Sequence, residues 1–109
     1  RRYALPIAGV ETLVEDLLRE KRWPVLGESG TQTGPEITLE AAGHTPIFGF
    51  VSDIAIRLTD EGETTYVDMR SASRFGPHDI GANAWLISTF LRDLDGLVLT
   101  RGADAPTAD

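Results

Sequence analysis

Two stretches of the chain carry apolar residues at the spacing of an amphipathic α-helix. Over residues 10–22 apolar positions recur every three or four residues, and charged residues fill the rest of each turn. The same spacing returns over residues 79–94, with Pro77 before it and Gly96 after it, as is common at helix ends. The predicted buried stripes are Val10, Leu13, Val14, Leu17 and Leu18, then Ile80, Ala84, Ile87, Phe90, Leu91 and Leu94.

Between these helices the pattern changes to alternation, which is typical of half-buried strands. Residues 36–41 place every second residue on an apolar face, and the segments 51–59 and 64–73 flank a turn signal at 60–63. Residues 23–26 predict a short edge strand, limited by its proline, before a glycine-rich loop at 27–35. Residues 3–7 offer a further strand ahead of the first helix.

The two central segments predict a hairpin with a definite register. A two-residue turn at positions 61 and 62 makes paired residue numbers sum to 123, which places Asp53 opposite Arg70 and Arg57 opposite Tyr66. The core face then carries Ile54, Ile56 and Leu58 with Val67, Met69 and Ser71.

These elements predict one α+β domain over residues 1–101, followed by a disordered tail at 102–109. We expect an antiparallel sheet of four or five strands with both helices packed on one face, in the order (β)-α-β-β-β-β-α. At 109 residues the chain is long enough to bury a core of this kind without disulfides.

Composition narrows the range of functions. The net charge of -7 and pI near 4.7 disfavour nucleic acid as a partner, because a negative field repels phosphate backbones. The absence of cysteine removes thiolate metal sites, and the two histidines lack ligand spacing, so we expect neither metal nor cofactor. No apolar run reaches the roughly 20 residues that span a bilayer.

One junction concentrates side chains suited to binding an anion. Arginines fork onto carboxylate or phosphate oxygens, and a helix start offers free N–H groups. The candidate ligand-binding residues are Arg70, Ser71, Ser73, Arg74, Asp79 and Asn83. The alternative is structural: the serines and Asp79 cap the turn, and the arginines pair with Asp53 and Asp68.

Two other readings of the chain stay open. Ser73, His78 and Asp79 could serve a small hydrolase or transferase, although no nucleophile-elbow motif surrounds the serine. Trp85 and Leu86 could dock a protein partner, since Trp85 lies nearly opposite the centre of the apolar stripe. The loop containing Phe48 and Phe50 predicts closure of the core, or the wall of a ligand cleft.

The same residues resemble a family of uncharacterised proteins, DUF1499. The resemblance rests on a tryptophan-led strand, a Phe-Gly-Phe segment with an acid, and an Arg-Ser-x-Ser-Arg-x-Gly string before the last helix. Here these are Trp23, Phe48 to Phe50 with Asp53, Arg70 to Gly76, and then Asp79, Gly81 and Asn83. Two positions depart from the pattern: Ser52 stands where an acid is usual, and Trp85-Leu86 where members commonly have a basic residue.

The resemblance implies no assigned activity. Members often carry this domain after membrane segments or an export signal, which implies the periplasmic or cytoplasmic part of a membrane-anchored protein. The chain opens without methionine, so we expect it to come from a longer protein. The function that the sequence favours is a non-enzymatic binding module that takes a small anionic ligand or a protein partner. A structural accessory domain is the other non-enzymatic alternative.

Overall fold

The computed structural model describes residues 1–30, 34–45, 51–74 and 80–101. Within these residues five strands form one antiparallel sheet in the order β1-β5-β4-β3-β2. The α+β class and the predicted element order are confirmed, with a short fifth strand before the first helix. The elements are β1 (Arg2–Tyr3), α1 (Ile7–Lys21), β2 (Val25–Ser29), β3 (Glu36–His44), β4 (Val51–Asp60), β5 (Thr65–Ser73) and α2 (Ile80–Arg101).

Helix α1 buries the whole stripe that its sequence predicts, and it begins three residues earlier than expected. The carbonyl of Pro6 accepts the N–H groups of Gly9 and Val10, which opens the helix at Ile7. Proline suits a helix start because its missing N–H would have no partner there. At the other end Arg22 adopts a left-handed conformation with φ of 59° and closes the last turn.

The sheet has one buried and one open face, as the alternation predicts. Every second residue along β3, β4 and β5 points to the same buried face: Ile37, Leu39, Ala41, Ile54, Ile56, Leu58, Val67 and Met69. These side chains join the buried stripes of both helices in one hydrophobic cluster. The residues that alternate with these point to the other face of the sheet, and Glu40, Asp53 and Arg70 among them are exposed. We call this second surface the helix-free face.

The predicted hairpin register is wrong by two residues. Paired numbers in β4 and β5 sum to 125, so Arg57 lies opposite Asp68 and Asp53 opposite Ala72. The cause is a longer turn: the N–H of Glu61 bonds the carbonyl of Thr64 at 3.0 Å, and the carboxylate of Asp60 accepts the N–H of Gly62 at 2.8 Å. Both sums are odd, so the core face is the same in either register.

Strand β2 departs from its prediction at both ends. It begins at Val25 and continues through Gly27 to Ser29, residues that the sequence assigned to a loop. Pairing with β3 stabilises this segment, and a shift in register between Val25 and Gly27 accommodates the extra residue. The strand lies at an edge of the sheet, as its proline predicts.

Helix α2 is longer than predicted, and its buried stripe is rotated. It continues through Gly96 to Arg101, because Leu97 and Val98 pack against the core and Arg101 pairs with Asp16 of α1 at 2.8 Å. These tertiary contacts outweigh the helix cost of one glycine, about 1 kcal/mol. The fully buried side chains are Leu86, Phe90 and Leu94, whereas Ala84 is exposed.

The two layers meet around two aromatic side chains. The rings of Trp23 and Phe90 stack with centroids 5.7 Å apart. Gly43 of β3 lies beneath them, since a Cβ there would collide with Ile54 and contact Trp23. Phe48 and Phe50, which the sequence assigned to core closure or a cleft wall, lie outside the described residues, as does the predicted tail.

Candidate functional site

The alternation of β5 divides the predicted anion site between the two faces of the sheet. Ser71 and Ser73 lie on the same face of β5 as the buried residues Val67 and Met69, whereas Arg70 lies on the helix-free face. Arg74 continues the strand by one residue, because its N–H bonds the carbonyl of Val51 at 3.1 Å. The serines and the arginines therefore cannot converge on one ligand without a change of register.

On the buried face the two serines are joined through Asn83 of α2. The hydroxyl of Ser71 donates to Oδ1 of Asn83 at 2.5 Å, and Nδ2 of Asn83 donates to Oγ of Ser73 at 3.0 Å. Asn83 is only 9% exposed, and Ser52, which lies opposite Ser73, is 2% exposed. Buried polar groups need partners of this kind, so these three residues hold the first turns of α2 against β5.

On the helix-free face Arg74 forms an ion pair with Asp53. Its Nε and Nη2 both donate to Oδ1 of Asp53, at 3.0 and 2.5 Å. Four residues further along β4, Nη2 of Arg57 donates to Asp68 at 3.0 Å. Both acids that the sequence offered as structural partners are thus paired with arginines, although Asp68 pairs with Arg57 rather than with Arg70.

Arg70 differs from these two arginines. Its side chain is exposed, and within the described part of the chain no carboxylate lies at ion-pair distance from it. It lies directly opposite Ala55 of β4. A guanidinium with free N–H groups beside such a small side chain can accept a carboxylate or phosphate in the bidentate geometry that arginine favours.

Two adjoining depressions contact Arg70. The larger has a volume of about 720 Å³, and its lining includes Leu26 of β2 and, from the helix-free face, Glu40, Ala55 and Ala72. Residues of the buried face such as Met69, together with Ile87 of α2, also belong to its lining. The smaller, of about 170 Å³, is lined by Thr38, Ala55, Arg57, Asp68 and Arg70. Alanines at 55 and 72 leave room that larger side chains on an exposed strand would fill.

Arg57 brings a second unsatisfied donor to the smaller depression. Its Nε is buried, and it has no acceptor among the residues that the structure describes. A buried donor without a partner costs about 1 to 3 kcal/mol, so a bound oxygen within its reach is favourable. Arg57 and Arg70 carry two positive charges against the single negative charge of Asp68, so this part of the face has a local positive excess.

The other predicted residues are only partly placed. Asp79 and His78, two of the three residues of the predicted hydrolase arrangement, lie outside the described residues. Ser73 itself accepts the hydrogen bond from Asn83. Leu86 is fully buried and faces no partner surface, which leaves Trp85, 45% exposed, as the accessible member of that pair.

The sequence missed the residues that shape this face. Glu40, Ala55 and Ala72 carry no chemical motif, and their proximity to Arg70 depends on pairing across strands. The incorrect register also concealed Arg70, because it placed Asp53 opposite that residue as an apparent ion-pair partner. Cross-strand neighbours were the signal that could have found the site, and they become readable only once the turn length is known.

The described residues define a two-layer α+β domain, in which two helices cover one face of an antiparallel sheet and neither helix covers the other face. The chain belongs to a family described as proteins of unknown function, DUF1499, whose family model matches residues 6–94. This confirms the family suggested by the motif.

One solved structure has a similar fold. The vertebrate conserved region of human METTL16 is 14% identical, with a TM-score of 0.64 over 86% of this chain and 75% of that chain. At this identity the likeness shows the fold alone. No curated protein sequence matches the chain significantly. Neither helix in the described residues combines the length and hydropathy needed to cross a membrane.

Proposed function

We propose that the domain is a non-enzymatic binding module and that its ligand site lies on the helix-free face, where Arg70 binds an anionic group of a small molecule. The carrying observation is that Arg70 is exposed, unpaired within the described residues and shared by two adjoining depressions. Isolated guanidinium groups at concave surfaces are the usual partners of carboxylates and phosphates.

The local charge supports an anion at this position despite the acidity of the chain. The carboxylate of Asp53 is neutralised by Arg74, and that of Asp68 by Arg57. These two pairs leave Arg70 without an acid in ion-pair contact among the described residues, and the nearest unpaired acid of the lining, Glu40, lies two strands away. A rotation of Arg57 toward a bound oxygen would also satisfy its Nε, which adds a second favourable contact.

The shape of the site supports a small ligand rather than a broad interface. The larger depression, about 720 Å³, falls within the size range of small-molecule pockets. Leu26, which is 58% exposed, supplies an apolar contact at one end. A ligand with an anionic head and a short apolar body therefore fits better than an inorganic ion alone.

The competing readings have weaker support. A docking surface built on Trp85 and Leu86 loses half of its apolar contact, because Leu86 is buried in the core. A hydrolase based on Ser73 would need its hydroxyl free for a base, yet that oxygen already accepts the Asn83 amide. An accessory role beside a membrane anchor is compatible with binding at the helix-free face.

A thermal-shift screen with Arg70→Ala tests the proposal. Wild-type protein is heated with phosphate, acetate, hexanoate and phenyl phosphate, because a ligand that binds only the folded state raises Tm. Arg92→Ala is the matched control: it removes the same charge from a side chain that is 76% exposed on α2. We expect a Tm increase in the wild type and in Arg92→Ala that disappears in Arg70→Ala.

Filling the depression provides a second test. Ala55→Leu places a larger side chain beside Arg70, and Ala84→Leu makes the same change at an exposed position of α2. Both variants should fold, and only Ala55→Leu should lose the ligand-induced shift. Equal ligand responses in both variants, or an Arg70→Ala response equal to that of the wild type, would refute this location.

A further inference from the structure

We infer that the ligand is dipolar, with a cationic group that binds Glu40 in addition to the anionic group that binds Arg70. This inference rests on the proposed function and names the ligand class for that same site. Its basis is a row of three residues across neighbouring strands: Glu40 pairs with Ala55, and Ala55 pairs with Arg70.

The row places two opposite charges on either side of an alanine. All three residues lie on the helix-free face, and all three line the larger depression. Because neighbouring strands lie about 4.8 Å apart, the Cα atoms of Glu40 and Arg70 are about 10 Å apart. No ion pair joins these two side chains in the structure as described, so both charges are available to a ligand.

Glu40 is the acid of the lining whose charge a ligand would meet. Asp53, the second acid in the lining, is already neutralised by Arg74, whereas Glu40 is exposed and lacks a cation among the described residues. A purely anionic ligand would bring a like charge toward Glu40, which is unfavourable. An ammonium group at the other end of the ligand turns this repulsion into attraction.

The space between the two charges sets the form of the ligand. Ala55 offers only a methyl group there, and Leu26 lies beyond Glu40 at the end of the depression. A chain of methylene groups can lie over the methyl group of Ala55 while its ends reach the two charges. The chemistry that fits is a linear ω-amino carboxylate or a similar zwitterion with well-separated charges.

Titration calorimetry with three small probes tests this inference. The probes are 6-aminohexanoate, hexanoate and hexylamine, which share a chain length and differ only in their charged ends. An exposed ion pair contributes up to about 1 kcal/mol, so we expect 6-aminohexanoate to bind about fivefold more tightly than hexanoate. Hexylamine should bind most weakly, because it lacks the carboxylate for Arg70.

Glu40→Gln supplies the decisive variant, with Glu36→Gln as its matched control. Both glutamates are exposed on the same face of β3, but only Glu40 lines the depression. The advantage of 6-aminohexanoate over hexanoate should disappear in Glu40→Gln and persist in Glu36→Gln. In Glu40→Lys the preference should reverse, so that adipate, a dicarboxylate, binds more tightly than 6-aminohexanoate.

The outcomes separate this inference from the proposed function. If hexanoate and 6-aminohexanoate bind equally, and both are lost in Arg70→Ala, the dipolar ligand is refuted and the anion site stands. If no probe binds in a manner that depends on Arg70, both are refuted. Unchanged unfolding curves of the variants without ligand confirm that they are folded.

Discussion

At the residue scale, the polar side chains at the end of β5 have divided roles. Ser71, Ser73 and Asn83 form a hydrogen-bonded group, Arg74 pairs with Asp53, and Arg70 has no ion pair with any of the described residues. The string of residues that suggested the family therefore contains structural residues as well as a binding candidate. Substitution of each type should have a different consequence.

Replacement of Asn83 should destabilise the domain. Asn83→Ala leaves the hydroxyls of Ser71 and Ser73 without this partner, and unsatisfied buried groups cost about 1 to 3 kcal/mol. Urea unfolding measures the loss. Ser88→Ala is the control, because that exposed hydroxyl bonds only the carbonyl of Trp85 in its own helix. Equal stability of the two variants would contradict a structural role for Asn83.

A second residue-scale prediction concerns Glu11 of α1. Burial raises its pKa above the ordinary value of 4.5, and a hydrogen bond with Glu28 of β2 adds to the shift. The folded state therefore holds the proton more tightly than the unfolded state, so this contribution to stability is present at low pH and is lost as pH rises through the folded pKa.

Glu11→Gln should consequently stabilise the protein at pH values above the folded pKa of Glu11, where the wild-type carboxylate is charged and partly buried. Melting temperatures recorded from pH 4 to pH 8 should decline less steeply with pH in Glu11→Gln than in the wild type. Glu20→Gln, at an exposed position of the same helix, should follow the wild-type curve. A parallel decline in Glu11→Gln would show that Glu11 is not the source.

At the element scale, the β4–β5 hairpin tests how a turn fixes cross-strand neighbours. Ser52 lies opposite Ser73 in the observed register, and it would lie opposite Ser71 if the turn had two residues. Pairs of this kind, outside the hydrogen-bonded positions, have Cα atoms about 4.5 Å apart, within the range for a disulfide.

Paired cysteine substitutions distinguish the two registers, and the chain has no cysteine of its own. Under mild oxidation, Ser52→Cys with Ser73→Cys should form a disulfide in most molecules. Ser52→Cys with Ser71→Cys should form far less, because diagonal neighbours are about 7 to 8 Å apart. Free thiol titration after oxidation measures both, and the reverse result would support the two-residue turn.

The extension of α2 gives a further element-scale prediction. A Cβ at Gly96 would meet nothing within 4 Å, so Gly96→Ala should raise stability by about 1 kcal/mol through helix propensity. Gly30→Ala should do the opposite, because Gly30 has φ of 103° and a Cβ there would collide with the backbone oxygen of Glu36. Denaturant unfolding compares them, and destabilisation by Gly96→Ala would contradict a continuous helix.

At the scale of the whole molecule, the two layers depend on a shared core and on ties between the helices. Phe90 of α2 stacks on Trp23, which follows α1, and the helices are joined by Lys21 with Asp93 and by Asp16 with Arg101. The hydrogen bond from Arg101 lowers the pKa of Asp16. The core aromatic contact carries more energy than these partly exposed ion pairs.

Phe90→Ala should therefore cost about 3 to 5 kcal/mol, whereas Trp85→Ala on the same helix should stay within about 0.5 kcal/mol. Phe90 is fully buried, and Trp85 is 45% exposed. Calorimetric unfolding of both variants measures the difference. A large loss of stability in Trp85→Ala would show that Trp85 is covered in solution.

The sequence by itself determined the local order of the domain. Periodicities of 3.6 and 2.0 residues identified both helices, the three long strands, and the buried faces of α1 and of those strands, because burial of apolar side chains is the main favourable term in folding. The family also followed from a local string of residues. The alternation along β5 placed Arg70 on the face of the sheet that does not carry Ile56 and Met69, and this holds in either register.

Tertiary structure decided the features that depend on contacts between residues distant in the chain: the hairpin register, the length of α2 and the neighbours across strands. The turn at 61–64 set the register that pairs Arg57 with Asp68, and packing carried α2 past Gly96. Pairing between strands also aligned Glu40, Ala55 and Arg70 across three strands. These features arise from hydrogen bonds and contacts between separate elements, which a periodic pattern within one element cannot specify.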